Sequence, residues 1–389
     1  MKHISKTVWV LSLVSLFTDT ASEMLYPIMP IYLQSIGFSI VLIGVLEGFA
    51  EATAGLSKGY FGKYSDVSGK RMLFVQVGYG LSAISKPMMA IFIYPAWVFF
   101  SRTIDRFGKG IRTGARDAIL SDEATPETKG KVFGFHRSMD TFGAVLGPVL
   151  ALVYLHFYPE NYKTLFFLAF FPGLLAVLAS FILKDKNKAP NPNITKPRLF
   201  SFLGYWKTSS VGYKKVVLGL LAFTLFNSSD VFLLLQAKQI GLDDTQVIGM
   251  YIFYNLVYAF VAFPLGILAD KIGLKSMLCT GILVFSMVYL GMGFAVTWVH
   301  VMILFMFYGI YAASTEGVAK AWISNLSDKK DTATAIGTFA GFQSIFTMVA
   351  SSLAGLIWYQ FGAVVMFSVS AFAAFGVFIY FILLKEELA

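Results

Sequence analysis

The sequence predicts an all-α membrane protein of twelve transmembrane helices, arranged as two pseudo-symmetric six-helix bundles with both termini in the cytoplasm. Three observations predict it. Hydrophobic residues make up 57% of the 389 and charged residues only 14%, whereas soluble domains carry about 25% charged residues; mean hydropathy is +0.70. Apolar runs of about 20 residues, each able to cross about 30 Å of hydrocarbon as a helix, recur along the whole length. Lastly, the polar loop Gly62-x-x-x-Asp66-x-x-Gly69-Lys70-Arg71 returns as Gly266-x-x-x-Asp270-Lys271-x-Gly273-x-Lys275, with four positions matched at a spacing of 204. The two halves read as copies of one unit.

The twelve runs centre on Thr18, Glu51, Ser82, Gly108, Val145, Pro172, Phe226, Val257, Val284, Tyr311, Thr347 and Ala373. Only helices or closed barrels satisfy the backbone in lipid, and these runs are too long and continuous for barrel strands. The first follows Lys2 and Lys6 as a signal peptide would, but Asp19 and Glu23 come next without a small-residue cleavage site. It is expected to be a retained first helix, running outward from about Val8 to Leu33. Loops after even-numbered runs hold Lys63, Lys70, Arg71, Lys129, Lys131, Lys271, Lys275, Lys329 and Lys330, while the opposite loops hold little beyond Lys163 and Lys238. The positive-inside rule therefore places both termini in the cytoplasm. The net charge of +9 is mostly topological and implies no nucleic-acid partner.

Residues 184–215 form the one linker, with Pro190, Pro192, Pro197, three Asn and eight basic residues against Asp185. It separates a first bundle at 1–183 from a second at 216–389, and Phe200, Phe202 and Trp206 are expected on the bilayer surface. The single Cys279 makes no internal disulfide and has no metal-site spacing, so a small packing residue is expected there and no metal.

Twelve spans divided six and six, a basic central linker and the Gly62 to Arg71 loop resemble the major facilitator superfamily of secondary transporters, in particular its twelve-helix drug:proton antiporters. The resemblance covers essentially the whole chain. Arg106-Phe-Gly-Lys109-Gly110 resembles the family word Arg-x-x-Gln-Gly, with Lys in place of the usual Gln, and Gly143-Ala-Val-Leu-Gly147-Pro148 resembles the antiporter word in the fifth span. The resemblance implies alternating access driven by a proton gradient with no cofactor, a role in proton coupling for Arg106, a monomer among membrane lipids, and a bacterial inner (cytoplasmic) membrane.

Each word also has a physical reading. Gly62 and Gly266 permit close helix approach, Asp66 and Asp270 suit a neighbouring helix N-terminus or an Arg, and Gly69, Lys70, Arg71, Gly273 and Lys275 complete a conformational latch at the headgroup side. Gly143 and Gly147 share a face where backbones can touch, and Pro148 loosens the helix there, which reads as close packing or as a pivot.

Charges at membrane depth concentrate in the first half. Asp19 and Glu23 point the same way, as do Glu47 and Glu51. Six acids (Asp19, Glu23, Glu47, Glu51, Asp105, Asp140) face six bases (Lys86, Arg102, Arg106, Lys109, Arg112, Arg137), and His136 lies at similar depth. Such a balance implies ion pairing around a water-accessible cavity, because an isolated charge at the bilayer centre costs at least about 2.5 kcal/mol. Within this network Glu23 or Asp19 is the expected titrating carboxylate and Arg106 its partner, with Arg102, Glu47, Glu51, His136, Arg137 and Asp140 as further candidates. Arg112, Arg116 and Asp117 read as structural. The second half instead carries rings and amides. Tyr26, Asn227, Asp230, Tyr254, Asn255, Tyr311, Glu316 and Gln343 are candidate substrate contacts, with Glu316 and Lys320 expected to satisfy each other.

No Walker word and no paired His or Cys spacing is present, so neither ATP hydrolysis nor a metal is expected. The leading expectation is proton-coupled export of a small organic or drug-like compound. The alternatives are a symporter or exchanger of an anionic solute (organic anion, phosphate ester or metal chelate) or of a lipid-like one, clamped by Arg102, Arg106, Lys109 and Arg137. A membrane-embedded enzyme using Glu47, Glu51 and His136, or a non-transporting receptor, is the reading from a different class.

Overall fold

Five helices start where a capping side chain meets an apolar run. Ser5, Asn161, Ser210, Asp243 and Thr297 each accept a hydrogen bond from the backbone three residues on, which satisfies one of the orphan N–H groups of a helix start. The structure, a computed structural model, describes residues 4–26, 28, 29, 32, 33, 36–38, 40–185, 197, 198 and 200–384, with backbone alone for 40–45, 47, 48, 51, 52 and 244. The candidates Glu47 and Glu51 thus lie outside the described side chains.

The helices are α1 (Lys6–Glu23), α2 (Ile40–Ser68), α3 (Arg71–Ile91), α4 (Pro95–Asp122), α5 (Lys129–Phe157), α6 (Tyr162–Ser180), α7 (Val211–Phe226), α8 (Val231–Gln239), α9 (Asp244–Ile272), α10 (Leu274–Gly293), α11 (Trp298–Asn325), α12 (Thr332–Phe361) and α13 (Ala363–Leu383). Among the described residues eight helical segments are long and apolar enough to cross a membrane, counting α7 and α8 as one. The first four runs fall outside that set; the charges at membrane depth are concentrated there.

Two compact units are built from these helices. Unit 1 comprises 1–123, 139–208 and 328–344, and unit 2 comprises 124–138, 209–327 and 345–389. In unit 1, α4 packs on α2 and α3, and α6 on α1 and α3; in unit 2, α11 packs on α9 and α10, and α13 on α10 and α7. Phe171, Leu175 and Leu178 on α6, and Phe372, Phe375 and Ile379 on α13, stay exposed, as a hydrocarbon-facing stripe requires.

Two expected spans are broken. The first is not one helix to Leu33: α1 ends at Glu23 and residues 24–26 form a turn, since Pro27 has no N–H to offer the Glu23 carbonyl. The seventh stops at Phe226 and resumes at Val231, where Asn227-Ser-Ser-Asp230 offers side chains that compete with helical hydrogen bonds. The freed backbone is satisfied: the Ser229 amide donates to Ser351 Oγ at 3.2 Å, and the Tyr289 hydroxyl donates to the Ser228 carbonyl at 3.3 Å. Glu23 and Asn227 are 204 apart, so the breaks occupy the same place in the two repeats.

The expectation for the linker aromatics is corrected. Phe202 is buried rather than on a bilayer surface, lying against Gly59, where a Cβ would collide with its ring. Lys63 Nζ donates to the Ser201 carbonyl at 2.8 Å, and Trp206 packs edge-on to Phe342 at 6.4 Å. Phe200 is exposed.

Gly143 and Gly147 press α5 onto α1. A Cβ on Gly143 would overlap the Leu16 carbonyl, and one on Gly147 would come within 2.6 Å of the Met24 nitrogen and 2.7 Å of the Thr20 carbonyl oxygen. The helix runs unbroken through Pro148. Gly147→Val is therefore expected to cost about 1–3 kcal/mol through overpacking and to lower the melting temperature of the detergent-solubilised protein by several degrees. Gly376→Ala, whose Cβ meets nothing within 4 Å, leaves it unchanged or slightly raised; equal melting of Gly147→Val and the parent protein would remove the close-packing argument.

Candidate functional site

In unit 1 the last turn of α1 meets α5 through acids. Ser15, Asp19 and Glu23 recur every four residues on one face of α1. The Asp19 carboxyl is in hydrogen-bond contact with that of Asp140, while Lys109 and Glu23 are its other charged neighbours. Ser15 Oγ donates to Asp140 Oδ1, and Arg116 Nη1 donates to Ser15 Oγ at 3.3 Å. Asp140 is buried, whereas Asp19 and Glu23 keep part of their surface and Lys109 is exposed. Two carboxylates in such contact repel unless a proton or a nearby donor relieves them.

A cation beside Asp19 is thus Lys109. Arg106 lies one turn earlier on α4, among the charges near Lys86 and Asp105. There Lys86 Nζ pairs with Asp105 Oδ1 at 2.9 Å and Arg102 Nη1 approaches Asp105 Oδ2 at 3.7 Å, all three residues being buried. Arg112 donates to Ser82 Oγ at 2.6 Å and its guanidinium sits 4.6 Å from the Tyr79 ring centre. Arg116 pairs with Asp117 at 2.9 Å. Arg112, Arg116 and Asp117 are accordingly bound into helix contacts.

In unit 2 the break between α7 and α8 presents Asp230 to a group of phenols. Tyr308 Oη donates to Asp230 Oδ1 at 2.6 Å, and Tyr254 also hydrogen-bonds that carboxylate. Asn227 Nδ2 donates to Tyr311 Oη at 2.7 Å. The rings form a chain, with Tyr254 and Tyr308 centres 5.1 Å apart, Tyr308 and Tyr311 5.2 Å, and Tyr289 and Tyr308 6.4 Å. All four tyrosines are buried, yet Asp230 and Asn227 keep part of their surface. Among the described residues no Lys, Arg or His pairs with Asp230. An unpaired carboxylate at membrane depth is costly, so phenol donors alone make this an unusual place for one.

Several expected contacts are redistributed. Glu316 pairs with Arg137, and Arg137 Nε also donates to Tyr258 Oη at 2.6 Å. Arg137 and the buried His136 fall in unit 2. Asn255 donates to the Tyr251 carbonyl of its own helix at 2.9 Å. Gln343 falls in unit 1, outside the tyrosine group, and Tyr26 is exposed. Sequence reasoning omitted Ser15, Tyr289 and Tyr308 from the sites and named Lys109 only among the membrane-depth bases and the anion clamp. The signal for Ser15 was its place one turn before Asp19, and that for Tyr308 its place three residues before Tyr311.

The repeated loops hold helix starts. Asp66 Oδ2 accepts from the Thr334 amide at 2.7 Å and from Thr334 Oγ1 at 2.8 Å, at the start of α12. Its Oδ1 accepts from Arg71 Nη2 at 2.6 Å; Arg71 also donates to Asp122 at 2.7 Å and to the Lys329 carbonyl at 3.2 Å. Asp270 accepts from the Gly130 amide at 2.7 Å and the Lys131 amide at 2.8 Å, at the start of α5. Each carboxylate thus meets both the orphan N–H groups and the positive end of a helix. Gly62 abuts the Ala333 carbonyl and Gly266 the Gly130 carbonyl, with no room for a Cβ at either. Gly69 and Gly273 end α2 and α9 at φ +67° and +94°, a conformation other residues adopt only with strain. Lys70 is exposed. Lys275, the counterpart of Arg71, donates to the Leu384 carbonyl at 2.6 Å at the end of α13.

A family model described as Major Facilitator Superfamily matches residues 11–237 and 215–388. The chain belongs to the Major Facilitator Superfamily. It is 35% identical over 366 residues to an uncharacterized MFS-type transporter of Methanocaldococcus jannaschii, covering 92% of this chain and 89% of that one. It is 25% identical over 209 residues, 52% of each chain, to the quinolone resistance protein NorA of Staphylococcus aureus. The fold is shared with the crystal structure of the human organic anion transporter MFSD10, with a TM-score of 0.81 over 96% of this chain and 98% of that one at 16% identity. The protein is a multi-pass membrane transporter of the superfamily fold and not an enzyme.

If the two carboxylates hold helix starts, each should protect its own amides. In Asp270→Ala, hydrogen exchange in the peptide around Gly130 and Lys131 is expected to speed up about tenfold or more, and in Asp66→Ala the same at Thr334, since a hydrogen bond to a charged group contributes about 1.5–3 kcal/mol. Unchanged exchange at both starts would remove the latch.

Proposed function

We propose that this transporter exports a small organic, drug-like solute in exchange for protons across the bacterial cytoplasmic membrane. In this reading twelve spans in two six-helix halves alternate access to a central site, with both termini in the cytoplasm. The observation that carries it is the contact between the Asp19 and Asp140 carboxyl groups. With one proton the pair is a hydrogen bond; with none it is two like charges in contact, relieved only by Lys109 and by donors such as Ser15. A change in water access to the pair therefore binds or releases a proton, and the α1 to α5 seam over Gly143 and Gly147 conveys that change to helix position. The latches at Asp66 and Asp270 hold one end state and must release in the other.

Similarity over half its length to a quinolone resistance protein supports export and a drug-like solute. The anionic-solute reading has less support, because Lys86, Arg102, Arg116 and Arg137 each face a carboxylate and leave little unbalanced positive field.

Purified protein in liposomes with an imposed pH gradient, screened against drug-like compounds, is expected to accumulate at least one of them in a gradient-dependent manner. Asp19→Asn and Asp140→Asn should abolish the gradient-driven component while keeping solute exchange without a gradient. Gradient-independent flux that both variants leave unchanged would overturn the proton-coupled reading.

A further inference from the structure

The end of the linker is wedged between two helices that come from different sequence halves. We propose that Phe202 makes the linker a strap that holds α2 against α12, and that the ring must leave its slot before the two helices can part. This rests on the alternating-access part of the transport reading above and is independent of the proton and of the solute.

The segment folds as a 3-10 turn at Ser201–Gly204 followed by a helical turn at Tyr205–Thr208, and its Phe202 is only 4% exposed. The ring enters between two glycines. The three atoms nearest the place of a Cβ on Gly59 all belong to that ring, and a Cβ on Gly341 would lie 3.9 Å from it. Both helices also fix the backbone: Lys63 Nζ of α2 donates to the Ser201 carbonyl at 2.8 Å, and Thr338 Oγ1 of α12 donates to the Phe202 carbonyl at 3.4 Å. Beside the ring the helices touch, since the Lys58 carbonyl leaves no room for a Cβ on Gly337. At the other end of the linker, Asp185 Oδ1 accepts from the Met72 amide at 2.8 Å in the first turn of α3. The linker is thus tied down on both sides of the loop from Gly62 to Arg71. A cavity of about 590 Å³ is lined by Asp66 and Thr334 of the latch and by Tyr205 and Thr208 of the linker, so the ring and the latch are separate contacts on one seam.

The second copy shows what the ring replaces. At the spacing of 204, α2 corresponds to α9 and α12 to α5, and Gly59 corresponds to Phe263. The Phe263 ring meets Phe135 of α5 edge-on at 5.4 Å. One seam therefore carries its aromatic on the spanning helix, and the other receives it from the linker. A ring built into a helix moves with that helix. Phe202 instead touches both walls of its slot without belonging to either, and it loses one of them whenever the walls separate, which re-exposes apolar surface.

Spin labels on Leu73→Cys and Lys330→Cys, two exposed positions at the starts of α3 and α12, report the opening of the seam as a distance distribution in the purified full-length protein, with Cys279→Ser removing the native thiol. The expected result is a short and a long separation, with the long-to-short ratio raised about tenfold or more in Phe202→Ala, the effect of losing one buried phenyl. The exposed neighbour serves as control, and Phe200→Ala should leave the ratio unchanged. Gly59→Phe added to Phe202→Ala should lower the ratio again, because the ring then comes from α2 as it comes from α9 in the second copy. If Phe202→Ala does not fold, Gly59→Leu in the otherwise unchanged protein decides the question, since its side chain needs the space of the ring and should raise the ratio in the same direction. Two separations whose ratio is the same in the parent protein and in Phe202→Ala, or an equal rise in Phe200→Ala, would overturn the strap and leave alternating access standing. One short separation in the parent protein and in every variant would overturn both.

Discussion

Hydrocarbon solvates no polar group, and every choice in this chain is made under that constraint. Backbone donors freed where α7 stops are taken up by Ser351 and Tyr289, and the helix starts of α5 and α12 are met by Asp270 and Asp66. Most membrane-depth charges obey the same rule: Lys86 with Asp105, Arg116 with Asp117, Arg137 with Glu316. Buried pairs of this sort contribute little net stability, yet removing one partner is expensive, so they behave as fixed struts. Two sites among the described residues depart from that rule in different ways. Asp19 and Asp140 place acid against acid; Asp230 places an acid among phenols.

The duplication carries through to geometry. Asp66 and Asp270 are 204 apart, and so are Thr334 and Gly130, the helix-start residues whose amides they accept. Each bond therefore joins a loop of one sequence half to a helix start of the other. The donors differ between the copies: Asp66 takes one amide, the Thr334 hydroxyl and the Arg71 guanidinium, whereas Asp270 takes two backbone amides. Gly69 and Gly273 end their helices at positive φ for the same reason in each copy: the chain must turn at once to bring the next helix alongside.

The helical class, the repeat, the latch glycines and the acids of the latch could all be read from the sequence, because apolar period and a repeated polar word are local signals. The interruptions could not be read so easily. Apolar composition continues straight across Asn227 to Asp230, and only the run of four small polar residues marks the place. Partner choice was harder still. A spacing of four on one helix pointed Glu316 to Lys320 and gave no sign of Arg137, more than a hundred residues away, which pairs with Glu316 through packing. Likewise the spacing on α4 did not single out Lys109, a charged neighbour of Asp19. Sequence periodicity gives the face of a helix; it does not give the depth at which another helix meets it.

At the spacing of 204 many charges of the first copy meet neutral residues in the second. Asp19 corresponds to Phe223, Glu23 to Asn227, Glu47 to Tyr251, Glu51 to Asn255, Arg106 to Ile310, Lys109 to Ala313 and Asp140 to Ser344; Arg112 and Arg116 keep charged counterparts in Glu316 and Lys320, and Tyr26 goes the other way, to Asp230. The second copy thus has a helix break at the same place with fewer charges around it and one acid where the first copy has a ring. The two breaks therefore differ in what surrounds them: Lys109 and a second acid, Asp140, lie beside Asp19, whereas the partners of Asp230 are the hydroxyls of Tyr308 and Tyr254. One duplicated helix pattern has thus given rise to two local environments of opposite character, one crowded with charge and one lined with phenols.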